Sequence, residues 1–130
     1  MYCIELDWKP PTGNRIRKLK HWQYAKLRES WVNRFKAYFI LHKTPFPGNR
    51  KVYIIVDRPI LRGKRLDKMN LVWMCKPAFD ALQQIGVLID DGDNLLEAEY
   101  IQSEREGGLR LYMTTDKEAF EEKISTIVAK

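Results

Sequence analysis

Cysteine is scarce: the 130 residues hold two, Cys3 and Cys75. Two are too few for a disulfide framework, and each stands where a buried apolar residue would serve, so a reduced, cytosolic setting is expected. Histidine is as thin. His21 and His42 do not stand at metal-ligand spacing, which excludes a zinc site built on them. No apolar run approaches the ~20 residues of a membrane span, the opening strand is not a signal peptide, and no membrane partner is expected. Acids are nearly missing from the first half. Between Trp8 and Val56 there is a single one, Glu29, among twelve Lys or Arg.

What is present sharpens that asymmetry. The net charge is +6, yet between Val87 and Glu122 eleven acids face only Arg105, Arg110 and Lys117. A basic half suits a polyanion, and an acidic cluster suits a divalent cation. Together they point to a nuclease rather than to a plain DNA binder. With 45% hydrophobic and 31% charged residues, the chain reads as one globular domain over residues 1–130.

Tyr2, Ile4, Leu6 and Trp8 alternate with polar residues, the period of a strand, and Pro10-Pro11 ends it. Thr12-Gly13-Asn14 is turn chemistry, followed by a basic segment from Arg15 to Trp22. There Arg15, Arg17, Lys18 and Lys20 are candidates for phosphate contact; a solvated loop is the alternative. Tyr24, Leu27, Trp31, Phe35, Tyr38 and His42 form the stripe of an amphipathic helix, with its aromatics in the core. Lys51 to Arg58 is a mostly apolar, central strand stopped by Pro59. A second basic loop follows, with Arg62, Lys64 and Arg65 directly ahead of Asp67.

Leu71, Cys75, Ala78, Leu82 and Ile85 then recur at helical steps, and Gly86 supplies the stop. Asp67 precedes this helix and Asp90-Asp91 follow it. The helix would span roughly 25 Å if straight. The acids meet only if the fold brings both ends to one site, for which a kink or restart at Pro77 is one route. The alternative is that Asp67 is a cap or loop residue and residues 90–93 form a solvated turn. Leu96, Ala98 and Tyr100 make a half-exposed strand, and Gly107-Gly108 should close a hairpin into Leu109, Leu111 and Met113. Thr115-Asp116-Lys117-Glu118 reads as a capping box for a last helix that turns Phe120, Ile124 and Ile127 inward. The expected fold is α+β in two layers: a small mixed sheet (β-α-β-α-β-β) with helices packed on it, plus a C-terminal helix.

Asp67, Asn70, Leu71, Lys76, Asp80-Ala81-Leu82, Gly86 and Asp90-Asp91 fall in an order that resembles the RusA-like Holliday-junction resolvases. Pro10-Pro11-Thr12-Gly13-Asn14-Arg15 resembles the same family's Pro-Pro-Ser-x-Asn-Arg loop. The likeness covers nearly the whole chain and is weakest at the last helix. It implies a cytoplasmic homodimer, bacterial or phage-encoded, that hydrolyses phosphodiesters in branched DNA with Mg2+, Mn2+ being a substitute. It implies Asp67, Asp90 and Asp91 as metal ligands, Lys76 with Asp67 and Asp91 as catalytic, and Asn14, Asn70 and the two basic loops against DNA. Physically, Lys76 can offset charge at the scissile phosphate, or merely pair with Asp80 one turn on. One departure stands out: Met69 occupies the position of the family's second Asp. A junction-binding module that cleaves weakly or not at all is therefore the rival reading, with a domain for structured RNA as a third.

Overall fold

The structure is a computed structural model, and it describes residues 1–42, 50–60, 64–88 and 95–129. The elements run β1 (Tyr2–Glu5), α1 (Gly13–Ile16), α2 (His21–His42), β2 (Val52–Pro59), α3 (Lys68–Gln84), β3 (Leu96–Ser103), β4 (Arg110–Thr114) and α4 (Lys117–Val128). The class is the expected mixture of helices with one small, open, mixed sheet. No described helix is long and apolar enough to cross a membrane.

The strands lie in the order β1-β4-β2-β3. β4 is antiparallel to both β1 and β2, while β2 and β3 are parallel. It follows that β1, β2 and β3 all run one way, so their carboxyl ends share one edge of the sheet. β2 is central because nearly every residue of its Val52–Asp57 run is apolar and all are buried. A strand apolar on both faces needs partners on both edges and cover on both sides.

That demand overturns the expected hairpin: β3 and β4 do not pair, because β2 lies between them. Gly107, at φ +106°, still turns the chain, but the connection serves β1 instead. Gly108 passes so close that a Cβ on it would lie 1.9 Å from the Leu6 carbonyl oxygen. The Leu6 N–H donates to the Leu109 carbonyl beside it, at 2.9 Å.

Ile4, Leu6, Val52, Ile54, Val56, Leu111 and Met113 form the main core with α2 and α3. On α2 the aromatics Trp31, Phe35 and Tyr38 pack in the core as expected, with Trp31 and Phe35 stacked at 5.5 Å and both buried, while Tyr24 is half-buried outside it. Tyr53, Ile55 and Tyr112 face the other way, onto Phe120 of α4, with Ile124 and Ile127 against them. α4 thus adds a third layer to the two expected. Its cap falls one residue later than the capping-box pattern places it: Asp116, not Thr115, accepts from the N–H groups of Glu118 and Ala119. Cys75 is buried, but Cys3 is exposed on the edge strand rather than serving the core.

α3 runs unbroken through Pro77 for 17 residues, so no restart occurs there. It ends where foreseen, with Ile85 as cap and Gly86 at φ +87°. Connecting two parallel strands requires such a crossover.

Candidate functional site

Asp67 ends the β2–α3 connection and caps α3. Its backbone is extended (φ −68°, ψ 163°), and Oδ1 accepts from the Asn70 N–H at 2.8 Å. The residue before it is held from the sheet. Gln102, near the end of β3, accepts from the Leu66 N–H and donates to the Leu66 carbonyl, both at 2.9 Å. Arg58 of β2 donates through Nη1 to the same Gln102 oxygen and to the Lys64 carbonyl, each at 3.0 Å. Asp67 is therefore fixed on both sides, with its carboxylate exposed.

Asn70 has a different position from the DNA contact expected of it. It is buried, and its Oδ1 accepts from the Asn14 N–H at 3.2 Å, a bond across 56 residues of sequence. Gly13 presses on the same turn, where a Cβ would stand 2.2 Å from the Asn70 carbonyl oxygen and 2.8 Å from the Trp73 Cβ. The segment read as a turn is thus a one-turn helix, α1, folded onto the first turns of α3. Only glycine fits so close an approach. In this way the two stretches that carry the resemblance, around Asn14 and around Asn70, meet in space.

The side chains of Asn14, Arg15, Arg17, Lys18 and Lys20 surround this contact and are exposed, as are those of Lys64 and Arg65 on the other basic loop. The Arg17 guanidinium lies 5.5 Å from the centre of the Trp73 ring, a cation–π contact that steadies α1 on α3. Arg62 lies outside the described residues.

Lys76 is exposed and pairs with Asp80 at 3.7 Å, the i,i+4 arrangement foreseen as its alternative role. The other Asp80 oxygen accepts from the Tyr24 hydroxyl of α2. Burial first, and then the bond to Asp80, push the Tyr24 hydroxyl up from its ordinary pKa, so it remains a donor at neutral pH. Nine residues at ~1.5 Å each place Lys76 about 13 Å along the axis from Asp67. The two share a helix and not a point.

As a hard oxygen donor that is exposed and fixed, Asp67 suits Mg2+. Met69, in the first turn of α3, is 60% exposed and offers no such donor. Among the described residues no group of three or more metal-capable side chains assembles. Asp90 and Asp91 lie outside the described residues. Their described neighbours are placed, however. Leu88 bonds back to the Leu82 carbonyl, and the Leu95 carbonyl accepts from Val52 at the start of β2. These anchors lie at the end of the sheet away from Asp67, and α3 does not fold its two ends together.

Two features were not read from the sequence. One is the Gln102 clasp. The other is Asp57, a 2% exposed carboxylate held by the Ser103 hydroxyl at 2.6 Å and by Arg105 Nε at 3.1 Å. Its signal was a lone acid in an otherwise apolar strand. Arg105 also donates to the carbonyls of Asp57, Glu106 and Gly108, locking the β3–β4 connection over the edge of the sheet. Compared with protein-family models and with curated proteins, the chain matches none.

Proposed function

We propose that this chain binds branched DNA, four-way junctions above all, and cuts it as a Mg2+-dependent endonuclease of the RusA-like resolvase kind, acting as a homodimer. The observation that carries this reading is the contact of Gly13 and Asn14 with Asn70. Two motif stretches far apart in sequence form one surface, and the Asp67 carboxylate caps the same end of α3.

The described residues divide the work. The exposed cations of residues 14–20, with Lys64 and Arg65, take phosphates and release counterions. Asp67, held by its cap bond and by the Gln102 clasp on Leu66, presents a carboxylate without further ordering cost. Lys76, steadied by Asp80 and Tyr24, offers a positive charge further along the same helix. Asp67 would hold Mg2+, which would supply an activated water and offset charge on the phosphate; the resemblance adds Asp90 and Asp91, which follow the opposite end of α3. Met69 favours a second reading, a junction-binding module without efficient cutting.

A four-way-junction assay with and without Mg2+ separates the two. Cutting that requires Mg2+ and is lost in Asp91→Asn, with junction binding retained, supports the nuclease. Binding without cutting selects the module. Cutting that survives Asp91→Asn removes the metal assignment. Sedimentation showing only the 15.4 kDa species at micromolar concentration, with and without DNA, would count against the homodimer.

A further inference from the structure

A cleft of about 660 Å3 opens at the edge where β1 and β2 end, beside the loop that carries Asp67. Pockets of ~300–1,000 Å3 at the carboxyl ends of strands are the usual seats of small ligands. Its apolar lining comes from Leu6, Trp8, Pro10, Pro59, Met74 and Leu109. Trp8 is held edge-on by Trp31, with ring centres 5.2 Å apart, so its position is set before any ligand arrives.

Three cations line the same cleft, and their bonding distinguishes them. Arg105 is engaged at every nitrogen, by Asp57 and by the carbonyls of residues 57, 106 and 108. Arg58 meets only neutral acceptors, through Nη1, and has no carboxylate partner among the described residues. Lys9 is exposed. Asp7 and Glu106 also line the cleft and are exposed like Lys9, so water screens these three charges alike and the half-buried Arg58 is the cation that counts most. A half-buried guanidinium paired with no anion, set beside an indole in an apolar cleft, fits one chemistry: a flat ring attached to a phosphate.

We propose that this cleft holds one unstacked deoxynucleotide, its base against Trp8 and Pro59 and its phosphate on Arg58 and Lys9. The inference rests on the branched-DNA reading, since a junction supplies strands whose bases leave the stack at the branch. It adds a site for a single base beside a surface otherwise made for backbone. Stacking on an aromatic tolerates any base. The cleft therefore selects for unpaired structure more than for sequence.

The test uses the full chain, isotopically labelled, followed by NMR as deoxynucleoside 5′-monophosphates are added. Inorganic phosphate and an unphosphorylated deoxynucleoside are run separately. The Trp8 indole N–H and the Gly107 and Gly108 amides should move with the monophosphate and much less with either half. Arg58→Gln should weaken that binding about tenfold or more, as expected for one hydrogen bond to a charged group. Arg58 also holds the Lys64 carbonyl, so Lys9→Glu, at an exposed side chain, is the second variant and should weaken binding in the same direction. Equal shifts with phosphate alone, unmoved Trp8 and glycine signals, or unchanged affinity in both variants overturns the proposal. Junction binding is measured on the same samples. Junction binding with no nucleotide response sinks the cleft and leaves the DNA reading standing. A nucleotide response without junction binding does the reverse.

Discussion

Met69→Asp is the substitution that best separates the two functional readings, and its cost can be worked out from the structure. Met69 is 60% exposed, so about two-fifths of the ~1.5–3 kcal/mol available from full burial is at stake, roughly 0.6–1.2 kcal/mol. Against this, the first turn of α3 carries no acid. A carboxylate there gains about 0.3–1 kcal/mol from the helix dipole. Repulsion from Asp67, two residues away, removes part of that gain. The sum is close to zero, within about 1 kcal/mol, and Tm should move by no more than about 5 °C. Added Mg2+ should then stabilise Met69→Asp by about 1.4 kcal/mol at ten times its Kd, and the parent by less at the same concentration, read as the smaller rise in Tm. Single-turnover junction cleavage should reach its plateau at lower Mg2+ and be at least as fast. Met69→Asn controls for polarity without charge and should show neither effect. A large loss of stability would mean that Met69 is not the surface residue described. An unchanged Mg2+ response, in melting and in cutting alike, would mean that positions 67 and 69 do not face one ion, and the metal assignment would fall.

Replacing Arg15, Arg17, Lys18 and Lys20 together by Ala should flatten the salt dependence of junction binding by about 0.9 for each phosphate no longer neutralised; an unchanged slope excludes this segment from the interface. Asn70→Ala leaves the Asn14 N–H without its acceptor and should cost about 1–3 kcal/mol by urea denaturation, with junction binding reduced because α1 loosens from α3. Arg105→Ala abandons the buried Asp57 carboxylate and should cost about 3–5 kcal/mol in the same measurement, whereas Arg110→Ala, which removes an exposed pair with Glu5, should cost under about 1 kcal/mol. Burial pushes the Cys75 thiol up to about 12, so the folded chain should leave it unmodified by iodoacetamide at pH 8. The Cys3 side chain is exposed, though partial burial also pushes its thiol up, so it should react slowly while Cys75 stays unmodified, and mass spectrometry that finds both equally labelled refutes the packing around Cys75.

Periodicity made α2 and α3 legible, because each buries a face whose spacing matches the helical repeat, and β2 was legible as a continuous apolar run. Asp67 was legible as a cap for the same local reason. Pairing was not. Gly107-Gly108 is a hairpin signal within its own few residues, but the partner of β4 was decided by β2, whose two apolar faces could not be left at an edge. Gly13 looked like turn chemistry, and only the approach of the Asn70 carbonyl shows why a larger residue has no room. Asn70 itself carries the same side chain whether it meets DNA or the Asn14 amide, and nothing in a linear string tells these apart. The Arg58 cleft is assembled from four separate segments, so no single window of sequence could display it.

The strand order has a consequence for how the chain comes to be folded. Among the described residues β1 pairs only with β4, joining Tyr2 to Met113 and Glu5 to Arg110. During synthesis its hydrogen-bonding groups wait for more than a hundred further residues before a partner exists. β2, α3 and β3 form a consecutive unit and can assemble first, leaving one edge of β2 open. β4 must then enter between two strands made long before it, and both of its edges are satisfied in that one event. Contacts of such long sequence separation slow folding. Until β4 arrives, the open edge of β2 is the place where a nascent chain would meet a chaperone or another copy of itself.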